Sequence, residues 1–130
     1  TEEDIEDAKE MFSSVGSVAK IKENNIDIYT ALIGSGPAYV FYLIESLLES
    51  SANLELTDTE KTTLLASMIS GSANLAKNSE ESPEVLRKKV TSPGGVTQSA
   101  IEEFERRGLK KIIKESMKVA EKKSIDLGNK

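Results

Sequence analysis

The sequence predicts a mainly all-α protein, and three observations support that fold class. Apolar residues recur at helical spacing along most of the chain, two Thr-x-x-acid capping boxes begin such runs, and only one short segment alternates as a strand would. A chain of 130 residues, 38% of them hydrophobic, is long enough for one domain with its own core. We therefore expect a helical bundle preceded by a short helix and strand.

The first segment predicts one helix and one strand. Thr1 and Asp4 form a capping box, and apolar residues repeat at helical spacing over residues 2–15. Residues 17–22 alternate apolar side chains with lysines, which is typical of a strand, but the rest of the chain offers no second strand to pair with it. We interpret residues 1–24 as the last helix and strand of a preceding α/β domain.

From residue 25 onward the sequence predicts helices alone. A short helical run breaks at residues 34–37, and the helix that follows is apolar on almost all sides, so we expect it to be buried. Thr57 and Glu60 form a second capping box, and the small residues at 67–73 favour close helix packing. The remaining predicted helices are a short one from Pro83, one that stops at Gly108 and one that stops at Gly128.

Composition excludes several classes of chemistry. The chain has no cysteine, so it has no disulfide framework, thiolate zinc site or cysteine nucleophile, and this suits a reducing compartment such as the cytoplasm. It has no histidine, so it can form neither a Ser-His-Asp triad nor an imidazole metal site. A net charge of −5 argues against nucleic acid as a partner. We expect no metal, and no apolar run of membrane-spanning length.

The most unusual stretch is the loop at residues 92–97, Ser-Pro-Gly-Gly-Val-Thr, which joins two predicted helices. Its glycines leave backbone N–H groups uncovered where the positive end of the next helix dipole emerges, an arrangement that binds anions. Ser92 and Thr97 add hydroxyl groups. The alternative is a glycine-rich turn in which Thr97 merely caps the helix.

Three other features favour structural interpretations. Gly34-Ser35-Gly36 follows a helical segment and precedes a proline, so it is not a dinucleotide-binding fingerprint, and we expect close backbone packing there. Glu80 and Glu81 could offer a carboxylate to the loop at residues 92–97, but an exposed acidic turn is the commoner explanation. The lysines of the last helix are mixed with glutamates and are typical of a solvated face.

Two segments, taken in order, resemble one enzyme family. Residues 31–41, Ala-Leu-Ile-Gly-Ser-Gly-Pro-Ala-Tyr-Val-Phe, and residues 90–97, Val-Thr-Ser-Pro-Gly-Gly-Val-Thr, resemble the characteristic motifs of pyrroline-5-carboxylate reductase. The resemblance spans essentially the whole chain. Lys89 departs from the pattern, because many family members carry a polar or acidic residue there, and this puts in doubt any salt bridge built from that position.

The resemblance implies a fold and a reaction. Residues 1–24 would end an NADPH-binding Rossmann domain, and residues 25–130 would form a helical dimerisation and substrate-binding domain like the C-terminal domain of 6-phosphogluconate dehydrogenase. Such enzymes transfer hydride from NADPH to 1-pyrroline-5-carboxylate to make L-proline in proline biosynthesis. The chain lacks the fingerprint glycines and the ribose-binding carboxylate, so we expect this fragment to bind no cofactor and to be inactive by itself.

The resemblance also implies site residues and partners. The substrate carboxylate would be held by a serine hydroxyl and backbone amides, Thr97 would hydrogen-bond the ring nitrogen, and Glu80 would lie near the substrate as a second catalytic candidate. The implied substrate-binding residues are Ser92, Gly94, Gly95, Val96 and Thr97. Two helical domains would intertwine into a cytoplasmic homodimer, which some members assemble into a ring of dimers.

Two alternatives stay open at this point. The chain could be a non-catalytic helical interaction module in which the loop at residues 92–97 is only structural. It could also be the helical domain of another NAD(P)-dependent dehydrogenase. A different dehydrogenase would be expected to place a lysine or histidine acid near the loop, whereas the lysines lie mostly on the last helix.

Overall fold

Seven α-helices form almost all of the regular structure. The computed structural model describes residues 1–129, and within that range no strand occurs, which confirms the prediction of a mainly all-α protein. A 3₁₀ turn at Glu23–Asn25 precedes α2, and a π-helical turn at Thr30–Gly34 separates α2 from α3. The helices are α1 (Glu2–Ser13), α2 (Ile26–Tyr29), α3 (Gly36–Glu49), α4 (Asp58–Asn78), α5 (Pro83–Lys89), α6 (Val96–Arg106) and α7 (Leu109–Gly128).

The N-terminal segment forms its helix but not its strand. The Thr1 capping box is present, and α1 ends at Ser13, two residues before the predicted end. Residues 17–22 have no regular structure, so the predicted strand is wrong for this chain. The physical reason is the missing partner, because a strand is stabilised by ladder hydrogen bonds to a neighbour. Residues 18–20 instead line a shallow depression of about 330 Å³ against α1.

The predicted break at residues 34–37 is wrong, because the π-helical turn carries the helix through it. The Ser35 N–H donates to the Thr30 carbonyl oxygen at 2.9 Å, five residues back, and Pro37 then occupies the first turn of α3. The Tyr39 hydroxyl donates to the Ala31 carbonyl oxygen at 2.9 Å and so satisfies a carbonyl in the widened turn. The helical run is therefore continuous in space from α2 to α3.

Continuity changes one expectation about membranes. The helical run Glu23–Glu49 spans 27 residues, and its most apolar window of 18 residues has a mean hydropathy of 1.4, so by length and composition it could cross a bilayer. The expectation that no such segment exists is therefore wrong. The apolar segment was judged too short to span a membrane because the sequence predicted a break at residues 34–37.

Helix packing is pairwise. α7 packs along α2 and the π-helical turn and also contacts α6, while α3 packs on α4. One long-range hydrogen bond fixes the first of these contacts: the Ser124 hydroxyl donates to Asp27 Oδ1 at 2.7 Å. These contacts bring the end of the chain back to the beginning of the helical region.

The single chain leaves most of its apolar residues exposed. Ala31 is the one buried hydrophobic residue in the described range, and α3, expected to be buried, contains none. Phe41 and Tyr42 on α3 are 63% and 71% exposed. The accessible surface is 10876 Å², about 4,000 Å² more than the roughly 6,700 Å² of a compact monomer of this mass. Over residues 1–129, the helices of one chain thus enclose no hydrophobic core.

Candidate functional site

A tight turn opens the loop at residues 92–97. The Gly95 N–H donates to the Ser92 carbonyl oxygen at 3.0 Å, Pro93 is the second residue of the turn, and Gly94 has a φ of +70°. These are the features of a type II β-turn, which needs a glycine at its third position because other residues are strained at positive φ. The turn reverses the chain between α5 and α6.

Gly95 is favoured by a close contact rather than by its backbone angles. It caps α6 with a backbone that any residue could adopt, but a Cβ there would lie 3.0 Å from the Ser92 carbonyl oxygen. A side chain would therefore push the turn away from the helix. The two glycines together set the angle at which the turn meets α6.

The beginning of α6 presents an open set of hydrogen-bond donors. The first-turn N–H groups of Val96 and Thr97 have no acceptor within the helix, as in any α-helix, and no side chain caps them. Val96 is 89% exposed, and the hydroxyl-bearing residues Ser92 and Thr97 are also exposed. Open N–H groups, the positive end of the helix dipole and two hydroxyls form an arrangement that suits a carboxylate.

The Gly94 amide is engaged inside the chain. Its N–H donates to Gln98 Oε1 at 2.7 Å, and Gln98 Nε2 donates to Glu102 Oε1 at 2.6 Å. Gln98 was not among the predicted site residues. Its signal was nevertheless present, because Gln98 is the third residue of α6, where a glutamine often reaches back to the chain before the helix.

Glu80 lies apart from the loop in the described chain. It is exposed in the bend between α4 and α5, and within residues 1–129 no hydrogen bond or ion pair joins it to residues 92–97. Its neighbour Glu81 is the engaged carboxylate, with both oxygens 2.7 Å from Lys89 Nζ. Lys89, the residue that departs from the family pattern, therefore does form a salt bridge, which ties the end of α5 to the bend before it.

The carboxyls with a clearly shifted pKa lie away from the loop at residues 92–97. Hydrogen bonds from Arg106 and Arg107 lower the pKa of Glu103 to about 2 near the far end of α6. A hydrogen bond from Lys88 and its charge lower the pKa of Glu84 on α5. Both glutamates are on the protein surface, so these shifts are those of exposed ion pairs.

The described residues do not fit a dinucleotide or a metal. Gly34 ends the π-helical turn and Gly36 begins α3, so neither lies in the strand–turn–helix that cradles a pyrophosphate. A Cβ at Gly36 would meet nothing within 4 Å, and the close packing expected there is absent within the chain. Across residues 1–129, no group of three Asp or Glu side chains is arranged to hold a metal ion.

A family model covers most of the chain. The model described as pyrroline-5-carboxylate reductase dimerisation matches residues 23–127. The chain belongs to this family.

Individual members of the family agree with this assignment. The chain is 37% identical over 123 residues to the pyrroline-5-carboxylate reductase of Synechocystis, covering 95% of this chain and 46% of that protein. It is 35% identical to the enzyme of Corynebacterium melassecola, covering 97% and 47%. This member of the dimerisation family therefore spans about half the length of the curated relatives it matches.

Solved structures show the same fold. A pyrroline-5-carboxylate reductase from Coxiella burnetii superposes with a TM-score of 0.91 at 33% identity, covering 98% of this chain and 47% of that one. The Plasmodium falciparum pyrroline carboxylate reductase, solved with NADP bound, gives 0.87 at 31% identity, covering 98% and 52%. The helical arrangement described above is thus that of reductase subunits.

Proposed function

We propose that this chain is the substrate-binding and dimerising part of a pyrroline-5-carboxylate reductase, which reduces 1-pyrroline-5-carboxylate to L-proline with NADPH. The observation that carries the proposal is the open donor set at the beginning of α6, formed behind a turn in which Gly94 has a positive φ and Gly95 lies close to the Ser92 carbonyl oxygen. The substrate is a small planar imine with a carboxylate. It needs an anion site and one donor near its ring nitrogen, and the loop offers both.

The residues divide the work in this proposal. The Ser92 hydroxyl and the Val96 amide hold the carboxylate. The hydroxyl of Thr97, the next residue of α6, donates to the ring nitrogen. Gly94 and Gly95 shape the loop, because their own N–H groups already donate to Gln98 and to Ser92. Glu80 approaches the substrate only in the assembled enzyme. Ser92, Val96 and Thr97 are thus the residues that bind and orient the substrate.

The hydride donor is held outside the described residues in this proposal. NADPH supplies the hydride, and the absence of a strand–turn–helix in residues 1–129 supports a binding site elsewhere in the protein. We assign residues 1–24 to the end of that cofactor-binding unit and residues 25–130 to the helical unit. The family match, which begins at residue 23, supports this division.

A homodimer accounts for the exposed apolar surface. If half of the surplus of about 4,000 Å² were buried on each chain, the interface would reach the upper part of the obligate range of about 2,000–5,000 Å² in total. A second copy, rather than lipid, then covers the apolar run Glu23–Glu49, and the enzyme is cytoplasmic. Assembly of such dimers into a ring remains part of the proposal.

The activity is tested by following NADPH absorbance with 1-pyrroline-5-carboxylate, using the full-length protein that contains this chain. Thr97→Ala should lower turnover and leave NADPH binding intact, because the residue touches only the substrate. Thr62→Ala is the matched control, since its exposed hydroxyl donates to the Asp58 carbonyl oxygen on α4. No turnover by the folded wild-type protein would overturn the reductase assignment, leaving a helical interaction module or another dehydrogenase.

The dimer is tested by light scattering of the 130-residue chain at tens of micromolar. The expected mass is about twice the 14.1 kDa of one chain. Phe41→Glu should give monomers by placing a charge in the apolar face, whereas Lys114→Glu on the lysine-rich surface of α7 should leave the mass unchanged. A monomeric wild-type chain would contradict the proposal.

A further inference from the structure

Gln98 lies beside the proposed substrate site and is hydrogen-bonded to the loop that forms it through the Gly94 amide. Gln98 is half-buried on the first turn of α6, and both ends of its side-chain amide are engaged. Oε1 accepts from the Gly94 N–H at 2.7 Å, and Nε2 donates to Glu102 at 2.6 Å. A single side chain thus ties the turn at Pro93-Gly94 to the helix that follows it.

Glu102 and the Gly94 N–H together determine which way the Gln98 amide faces. An ionised carboxylate only accepts hydrogen bonds, so it must face the NH₂ end of the amide. The carbonyl oxygen of Gln98 is then left facing the Gly94 N–H, which can only donate. The spacing of Gln98 and Glu102 is i to i+4, which places both on one face of α6.

The hydrogen bond to Gln98 removes the Gly94 N–H from the anion site and holds the remaining donors of the loop in place. The Gly94 amide is occupied by Gln98 and the Gly95 amide by the Ser92 carbonyl oxygen, so neither is offered to a ligand. Gly94 lacks a Cβ, so its backbone, at a φ of +70°, can adopt more conformations than that of Ser92 or Pro93. Holding it still keeps the Ser92 hydroxyl at a constant distance from the open N–H groups of α6.

We propose that Gln98 is a positioning residue for the substrate carboxylate, acting through Gly94 and oriented by Glu102. This inference rests on the proposed reductase function. Gln98 preorganises the loop before the substrate arrives, so its contribution is to substrate binding rather than to hydride transfer. It acts without touching substrate or cofactor.

The test uses the full-length protein and Gln98→Met, which keeps the length of the side chain and the helix but removes both hydrogen bonds. The KM for 1-pyrroline-5-carboxylate should rise about fivefold, the factor for one neutral hydrogen bond, while kcat stays within about twofold and the KM for NADPH is unchanged. Glu102→Gln is the conservative control, because the Gly94 N–H still requires the Gln98 oxygen and the new carbonyl oxygen can accept from Gln98 Nε2, so the KM should stay at the wild-type value.

Hydrogen–deuterium exchange separates this inference from the reductase proposal. In Gln98→Met the peptide containing the Gly94 amide should exchange about fivefold faster than in wild type, and in Glu102→Gln it should not. Unchanged exchange and an unchanged substrate KM in Gln98→Met would overturn the positioning role while leaving the reductase intact. An equal loss in both KM values would also overturn it. A wild-type protein that does not reduce the substrate would instead refute the function itself, and the exchange data would still report on the tie.

Discussion

Replacement of Gly94 by alanine tests whether the loop at residues 92–97 really depends on a left-handed backbone. A Cβ at Gly94 would meet nothing within 4 Å, so no steric clash arises and the whole effect comes from its φ of +70°. An L-residue in that region costs about 1–2 kcal/mol. Alanine recovers about 0.4–1 kcal/mol of this by restricting the unfolded chain.

The net destabilisation from Gly94→Ala is therefore about 1 kcal/mol, or roughly 3–5 °C in Tm for a domain of this size. The measurement is thermal unfolding followed by circular dichroism at fixed protein concentration. Gly16→Ala is the matched control, because it also has open space around it but no positive φ, and it should raise the Tm slightly. Gly94→Asn should recover part of the loss, since asparagine tolerates the left-handed region better than alanine. A Tm for Gly94→Ala equal to that of Gly16→Ala would refute the assigned turn.

Two further variants probe other parts of the chain. Tyr39→Phe removes the donor to the Ala31 carbonyl oxygen in the π-helical turn, and because Ala31 is only 2% exposed we expect the free energy of unfolding to fall by about 1–2 kcal/mol. The measurement is denaturant titration, with Tyr42→Phe as the control because Tyr42 is 71% exposed. Equal unfolding midpoints for the two variants would contradict this prediction. Glu103 has a folded pKa lowered to about 2, so its stabilising effect is present above its usual pKa near 4.5 and is lost as the pH falls towards 2. Glu103→Gln should accordingly flatten the dependence of Tm on pH between 5 and 2, and a profile identical to wild type would show that its ion pairs do not persist in solution.

Features that depend on neighbouring residues were predictable from the sequence. Both capping boxes form as expected, because Thr57 and Glu60, like Thr1 and Asp4, satisfy each other's backbone groups within one turn. The turn at Gly94 and the helix that begins after Gly95 were also predictable, since both depend on neighbouring residues alone. The chemistry that we propose for the loop at residues 92–97 rests on the same few residues.

Features that depend on distant or competing contacts were not predictable. Residues 17–22 have the pattern of a strand, but a strand exists only with a partner to pair with. Pro37 fits the start of a new helix equally well whether a break or a π-helical turn comes before it, so spacing alone could not distinguish them. The exposure of α3 depends on which helices pack against it. Its apolar pattern predicted burial, but it could not show whether helices of the same chain or of a second copy would cover it.

In the proposed homodimer, the exposed apolar surface makes folding depend on protein concentration. If a second copy supplies the missing core, the folded chain and its association are a single equilibrium, and no stable lone subunit precedes the pair. Each tenfold dilution then lowers the free energy available to the folded state by about 1.4 kcal/mol. The unfolding midpoint becomes a property of the solution as well as of the sequence, and newly made chains must find one another before their helices have anything to enclose.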